Sequence, residues 1–425
     1  MSSRVKAALV GISGYGLSYL DALLNGNRAA QEVELVAAVD PMAEQSRRVE
    51  DLRERRIPIY PSLPAMFKAT PSLELVMLVT PIHLHTPQTC LALQQPGVSV
   101  LCEKPLAGSL ADARRVLAAE QRAAPGQFVA IGYQWSFSQA VAALKNDIMT
   151  GVLGRPLRLR TMVSFPRPLS YFKRNDWAGH LRTPAGEDVL DSPLNNATAH
   201  YLHNMLYVLG ASREHSATPA TVQAELYRAN EIENYDTAAL RCFTEDGTQI
   251  LFYTTHAAAD LIGPRSIFEF ERATVTFDAN SGDAHAGQFV ARFRDSAEVR
   301  VYGNPNFDRH EKIWQSALAV RGGPRVPCGV AAAMAQTVCA VAAQRSMPGI
   351  VDFPRESVRR VDLGDDTMLA VPGLEDAIHR CFHAGVLPSE LGELSWAAPA
   401  RVVEVPGLID GEAAGRDPAG VAVRV

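Results

Sequence analysis

The run Gly11-Ile12-Ser13-Gly14-Tyr15-Gly16 follows an apolar stretch at 5–10 (VKAALV) and precedes leucines at helical spacing over 17–25. Glycines at a strand-to-helix turn let the backbone approach a pyrophosphate, and the helix N-terminus behind them favours its charge. The spacing departs from G-x-G-x-x-G: Ser13 stands at the second glycine, although Gly14 restores room beside it. Alone, the same letters also describe a plain tight turn. A second feature adds weight, because Asp40 ends the next apolar stretch 24 residues beyond Gly16. A carboxylate there can accept from the adenosine ribose hydroxyls, although Asp40-Pro41 by itself would read as the start of a turn. An acid at this point repels a 2'-phosphate and favours NAD over NADP, while Arg47 and Arg48 leave a phosphate some purchase.

The elements that must position these residues follow from periodicity. Apolar runs at 5–10, 34–39, 73–79 and 98–102 read as strands, separated by helical stretches at 42–54, 62–69 and 86–95. Such alternation implies right-handed crossovers and a parallel sheet covered on both faces. After residue 130 the pattern changes to strands at 157–165, 221–228, 237–244, 249–257, 266–277 and 289–302, with helices at 196–209, 330–344 and 373–384. The expected fold is α/β, an N-terminal Rossmann domain (1–130) followed by an α+β domain with a large, mostly antiparallel sheet (131–350) that packs substrate against cofactor. A C-terminal extension (351–425) is expected to pack on the rest, with its last dozen residues disordered.

Composition excludes several classes. The 425 residues are 47% hydrophobic and 20% charged with a mean hydropathy of −0.03, which suits a globular chain with sizeable cores. A net charge of −5 and the absence of like-charge runs argue against nucleic-acid and membrane-surface partners. The first apolar run is too short for a signal-peptide core, and no later one reaches a membrane span. Six cysteines without CxxC spacing point to a reducing cytoplasm and to no structural zinc.

Two further strand ends, Thr80-Pro81-Ile82-His83-Leu84-His85 and Cys102-Glu103-Lys104-Pro105-Leu106, resemble the Gfo/Idh/MocA family of glucose-fructose oxidoreductases and inositol dehydrogenases. Glu-Lys-Pro is the specific part. With the glycine turn, Asp40 and Gly151-Val152-Leu153-Gly154-Arg155-Pro156, the likeness covers roughly residues 5–210 and more loosely extends to 350. It implies that Lys104 lies beside the nicotinamide and the substrate hydroxyl, that the Pro105 peptide is cis, and that Thr80, Pro81, His85 and Glu103 border the cofactor. Tyr133 and Gln134 would lie near the nicotinamide, Tyr133 towards the substrate. The residue chemistry agrees: a lysine at the carboxyl end of a parallel strand can bond a hydroxyl and stabilise an alkoxide, although without the family it reads as a solvated surface charge.

The family's Asp-x-x-x-His pair is matched within Asp191–Asn204, with His200 on the histidine and Asn196 on the aspartate. Positions four apart share a helix face, and an imidazole that titrates near neutrality suits proton transfer. Asparagine removes a carboxylate, which Asp191 can supply from the loop. In a plainer reading Asn195 and Asn196 cap the helix while His200 and His203 pack in the core. A metal on the two histidines lacks a completing Cys or Glu. The loop Tyr171–His180 mixes aromatic and polar groups, and Arg174 and Trp177 suit a carbohydrate; Lys173 and Arg174 would also accept an acidic sugar. The resemblance thus implies an NAD(P)-dependent oxidoreductase acting on a secondary hydroxyl of a sugar, cyclitol or sugar derivative. A homodimer or homotetramer is expected, through a sheet face left uncovered by helices. The alternatives are a redox-neutral lyase that oxidises its sugar transiently, and a non-catalytic sugar- and NAD-binding regulator, against which Lys104 and His200 both speak.

Overall fold

The computed structural model describes residues 4–408. The expected disorder of the last dozen residues falls outside them. Strands β1 (Val5–Val10), β2 (Val33–Val39), β3 (Ile59–Tyr60), β4 (Leu75–Leu78), β5 (Ser99–Cys102) and β6 (Val129–Ile131) form one sheet in the order β3-β2-β1-β4-β5-β6. Every pairing in it is parallel. Every residue of β4, β5 and β6 is buried, which is why these strands read as unbroken apolar runs rather than as alternations. The strand order reverses between β1 and β4, and a parallel sheet opens a ligand crevice outside the carboxyl ends at such a point.

The chain divides into two compact units. The first holds residues up to Ala107, 112–138 and a late return at 306–334. That return carries the helix Glu311–Val320, which periodicity did not disclose. It is tied to the sheet where the Ile131 amide donates to the Cys328 carbonyl at 2.8 Å.

The second unit holds 108–111, 139–305 and the chain from Ala335 onward. Its strands are β7 (Pro156–Ser164), β8 (Pro219–Arg228), β9 (Thr237–Thr244), β10 (Gln249–Thr255), β11 (Ile262–Phe270), β12 (Ala273–Asp278), β13 (Phe289–Phe293), β14 (Val299–Gly303), β15 (Val351–Asp352), the hairpin β16 (Arg359–Asp362) and β17 (Thr367–Ala370), and β18 (Val403–Glu404). The main sheet runs β14-β13-β12-β11-β7-β10-β9-β8-β15, with β18 also on β8. It is antiparallel except at β7/β10 and β8/β15. The runs expected as single strands at 266–277 and 289–302 are each a hairpin; the first folds at the charged pair Glu271-Arg272, whose amides bond back to Arg155 and Leu153.

The central strands of the sheet face expected to lie open are covered. Met162, Tyr227, Ala239, Leu251 and Tyr253 project from one face into a core shared with Leu374, Ile378, Cys381 and Phe382 of the helix Leu374–Ala384 and with Leu387 beyond it. The Tyr253 hydroxyl donates to the Cys381 and Val386 carbonyls at 3.1 and 2.9 Å, and Arg160 donates to those of Phe382 and His383 at 2.8 and 2.7 Å. The Arg160 bonds satisfy carbonyls that a helix end leaves without intrahelical partners. The C-terminal segment is thus the lid of its own sheet. Among the described residues no helix is long and apolar enough to cross a membrane.

Candidate functional site

In the first unit the glycine turn lies on the strand-order reversal. Gly11 adopts φ +85°, and a Cβ there would fall 2.3 Å from the Val79 carbonyl at the end of β4; one on Gly16 would fall 2.1 Å from the Gly11 carbonyl. Side chains at either place would break the turn. Gly14, at φ +55°, faces open space, and the Ser13 and Gly14 amides donate to no group among the described residues. Unspent amides before a helix N-terminus, one of them on a glycine that faces open space, fit a pyrophosphate. The Asp40 carboxylate accepts from the amides of Ile12 (3.1 Å) and Met42 (2.8 Å), so it braces the turn. Arg48 is taken up by Asp21 and Asp51, so one of the two arginines expected to offer a 2'-phosphate some purchase is already engaged.

At the end of β5 the Lys104-Pro105 peptide is cis. Glu103 beside it is buried, and its carboxylate accepts from the Tyr19 hydroxyl at 2.6 Å, from the Lys104 amide at 3.2 Å and from the Lys312 ammonium. Lys312 is itself 0% exposed and also lies 5.1 Å from the Tyr19 ring centroid. Burial works against the Glu103 charge, but the Lys312 ammonium, the Tyr19 hydroxyl and the Lys104 ammonium outweigh it and hold the carboxyl below its ordinary range. Gly132 leaves the space this carboxylate fills, since a Cβ there would sit 2.9 Å from it. Tyr19 belongs to the helix Gly16–Asn25, so one buried network joins the glycine turn to Glu103-Lys104. Lys312 carries no motif, and its helix was itself unread; neither could be found from spacing alone.

Two expected contacts in this unit need correction. Tyr133 is 0% exposed and packs in the core, where it cannot line a substrate site. His85 is buried with Nδ1 2.8 Å from the Pro105 carbonyl and Nε2 2.9 Å from the Thr80 carbonyl. Both ring nitrogens therefore face these strand ends rather than open space. Burial pushes its pKa below the ordinary value, so the ring is neutral and only one of the two contacts can be an N–H donor. The Thr80 hydroxyl donates to Gln88 Oε1 at 2.7 Å, and the Gln134 side chain accepts from the Tyr15 hydroxyl at 3.3 Å.

In the second unit the stretch expected to begin a helix at 196 opens instead as a π turn, Pro193–Ala197, capped by Ser192, before the helix Ala199–Val208. Asp191, 3% exposed, accepts from Asn196 Nδ2 at 2.7 Å on one oxygen, and from the Gly179 amide (2.7 Å) and Arg174 (3.3 Å) on the other. The carboxylate missing at 196 is thus supplied from the loop, held by the asparagine that replaced it. Arg174 stacks 3.9 Å from the Tyr171 ring centroid and 5.1 Å from that of Trp177. His200 is half-buried near the start of its helix. His203 is core: it stacks on Tyr207, and burial with the Lys145 ammonium nearby drives its pKa down to about 3.

The parallel sheet, the glycine turn and the strand-end residues define a dinucleotide-binding domain of oxidoreductase type. Residues 5–131 match the Gfo/Idh/MocA family model, described as "Oxidoreductase family, NAD-binding Rossmann fold". Inositol 2-dehydrogenase 4 of Saccharopolyspora erythraea is 33% identical over 152 residues, 35% of this chain and 43% of that protein. The chain therefore matches less than half of that relative's length. A 1,5-anhydro-D-fructose reductase of Ensifer adhaerens is 25% identical over 59% of this chain and 76% of its own. Over 81% of this chain the fold is like that of a levoglucosan dehydrogenase solved with NADH, at a TM-score of 0.65, with 97% of that chain covered and 16% identity.

Proposed function

We propose that the protein is an NAD-dependent dehydrogenase acting on a secondary hydroxyl of a sugar or cyclitol. One observation carries this reading: Lys104 stands at the carboxyl end of β5, beside the strand-order reversal, on a strand end fixed by the buried Glu103 network. The dinucleotide, when bound, supplies the hydride acceptor. The Ser13 and Gly14 amides would hold its pyrophosphate and Asp40 its ribose, and the engagement of Arg48 with two carboxylates supports NAD over NADP. At that place the Lys104 ammonium would lower the energy of an alkoxide as a hydroxyl loses its proton. In the second unit His200 is proposed as the acid–base group, with Asn196, Arg174 and Trp177 binding hydroxyls and C–H faces. The similarity to an inositol dehydrogenase supports a cyclitol or sugar as substrate. Any homo-oligomer would use a surface other than the sheet face covered by the helix Leu374–Ala384.

The test is NADH formation by the full chain with a panel of sugars, inositols and sugar acids. One compound should yield NADH, and Lys104→Ala should lower kcat by about 10²–10⁴-fold without unfolding the protein. A panel with no turnover and no NAD binding would overturn the reading.

A further inference from the structure

We infer that Arg167 is an anion-binding residue, and that the molecule it holds is a sugar bearing a carboxylate or phosphate. The sugar rests on the oxidoreductase reading above; the anion site stands on the geometry of the second unit alone.

Arg167 follows directly on the end of β7, and its amide donates to the His256 carbonyl at 3.2 Å, which fixes its backbone. The guanidinium carbon lies over two aromatic rings, 4.0 Å from the Phe165 centroid and 4.3 Å from that of Tyr171. A guanidinium stacked on rings keeps its N–H donors at the edges of the planar group. Its Nε is buried without an acceptor, and among the described residues no carboxylate lies within ion-pair distance of the guanidinium. An arginine cannot escape this by losing its proton.

The neighbouring groups cannot serve it. Asp191 is the carboxylate that this guanidinium feels, and both its oxygens are already committed, to Asn196 and to Gly179 and Arg174. His256 is buried, with its Nδ1 2.8 Å from the Phe165 carbonyl; burial, with the Arg167 charge adding to it, drives its pKa to about 3 and keeps it neutral. Burial raises the Tyr171 phenol, which is neutral as well. The cluster therefore sets two guanidiniums against one carboxylate, and like-charge repulsion from Arg174 joins burial in opposing the Arg167 charge. A partly buried cation with unspent donors is costly unless an anion completes it. The edge donors of a ring-stacked guanidinium suit a carboxylate or a phosphate, which an arginine grips by two parallel bonds.

The experiment titrates the full chain, with NAD present, against D-glucuronate, D-gluconate, D-glucose 6-phosphate and D-glucose, following heat of binding and NADH together. At least one anion should bind about tenfold or more tighter than glucose. Arg167→Met, which keeps the packing against the rings, should erase that preference, and Arg167→Lys should retain part of it. Preference for the two acids identifies a carboxylate and preference for the ester a phosphate. Equal binding of glucose and the anions, binding by none of them, or an anion affinity unchanged in Arg167→Met would overturn the inference. An anion that binds through Arg167 without NADH formation and without any NAD binding would instead overturn the oxidoreductase reading and leave the anion site standing.

Discussion

Lys312 and Glu103, 209 residues apart in the sequence, meet as a buried ion pair inside the first compact unit. The late segment 306–334 is thereby part of the machinery at the end of β5. Removing one partner of such a pair strands a charge in the interior, at a cost of about 3–5 kcal/mol. Lys312→Met should lower stability by that order in denaturant unfolding, whereas Lys312→Met with Glu103→Gln should recover most of the loss. Because the folded Glu103 titrates below its ordinary range, its contribution is complete above about pH 4.3 and disappears as pH falls through the lower folded value. Acid unfolding of the double variant should be correspondingly shallower below pH 4.3.

His203 carries the opposite proton linkage. Its folded pKa lies at about 3 against the ordinary 6.5, so between these values the unfolded chain binds a proton that the folded chain refuses. Stability should decline as pH falls through that window, by up to about 1.4 kcal/mol per pH unit. His203→Phe should flatten the slope of stability against pH between 6 and 4, and an unchanged slope would show that this histidine is not buried neutral.

Asn196→Asp restores the family carboxylate and should do harm. It removes the 2.7 Å donor to Asp191 and sets a second negative charge against a carboxylate that is 3% exposed. We expect a loss of about 1–3 kcal/mol at pH 7 that shrinks at pH 5, where the pair can share a proton, read from melting curves at the two pH values.

Asp40→Ala should raise the ratio of NADPH to NADH affinity about tenfold or more in fluorescence titrations, by removing the acid that repels a 2'-phosphate. It should also cost stability, since the Ile12 and Met42 amides lose their acceptor. An affinity ratio equal to that of the unmodified chain would mean that Asp40 only braces the turn.

The first sheet was legible because each of its longer strands is mainly apolar and ends at or near a glycine, an acid or a proline. The second was legible as strands but not as hairpins: Phe270 and Ala273 continue one apolar pattern across the turn at Glu271-Arg272, and only the charged pair between them marks the fold. Lys104, Asp40, Asn196 and His200 could be named because their places are set by local spacing. Lys312 could not, because a buried lysine is indistinguishable from a surface one until its carboxylate is known. Tyr133 failed for the same reason in reverse: its position in the chain suggested a site, and its burial removes it from one. Arg167 belongs with Lys312, since its meaning lies in what surrounds it.

The helix Leu374–Ala384 has a consequence for how the second unit responds to dilution. A sheet face covered by another copy of the chain is only as stable as the protein is concentrated, because the cover leaves when the copies part. Here the cover is tethered to what it protects, through Arg160, Tyr253 and the Arg241–Glu390 pair. The melting temperature of this face should therefore be the same at nanomolar and at millimolar protein.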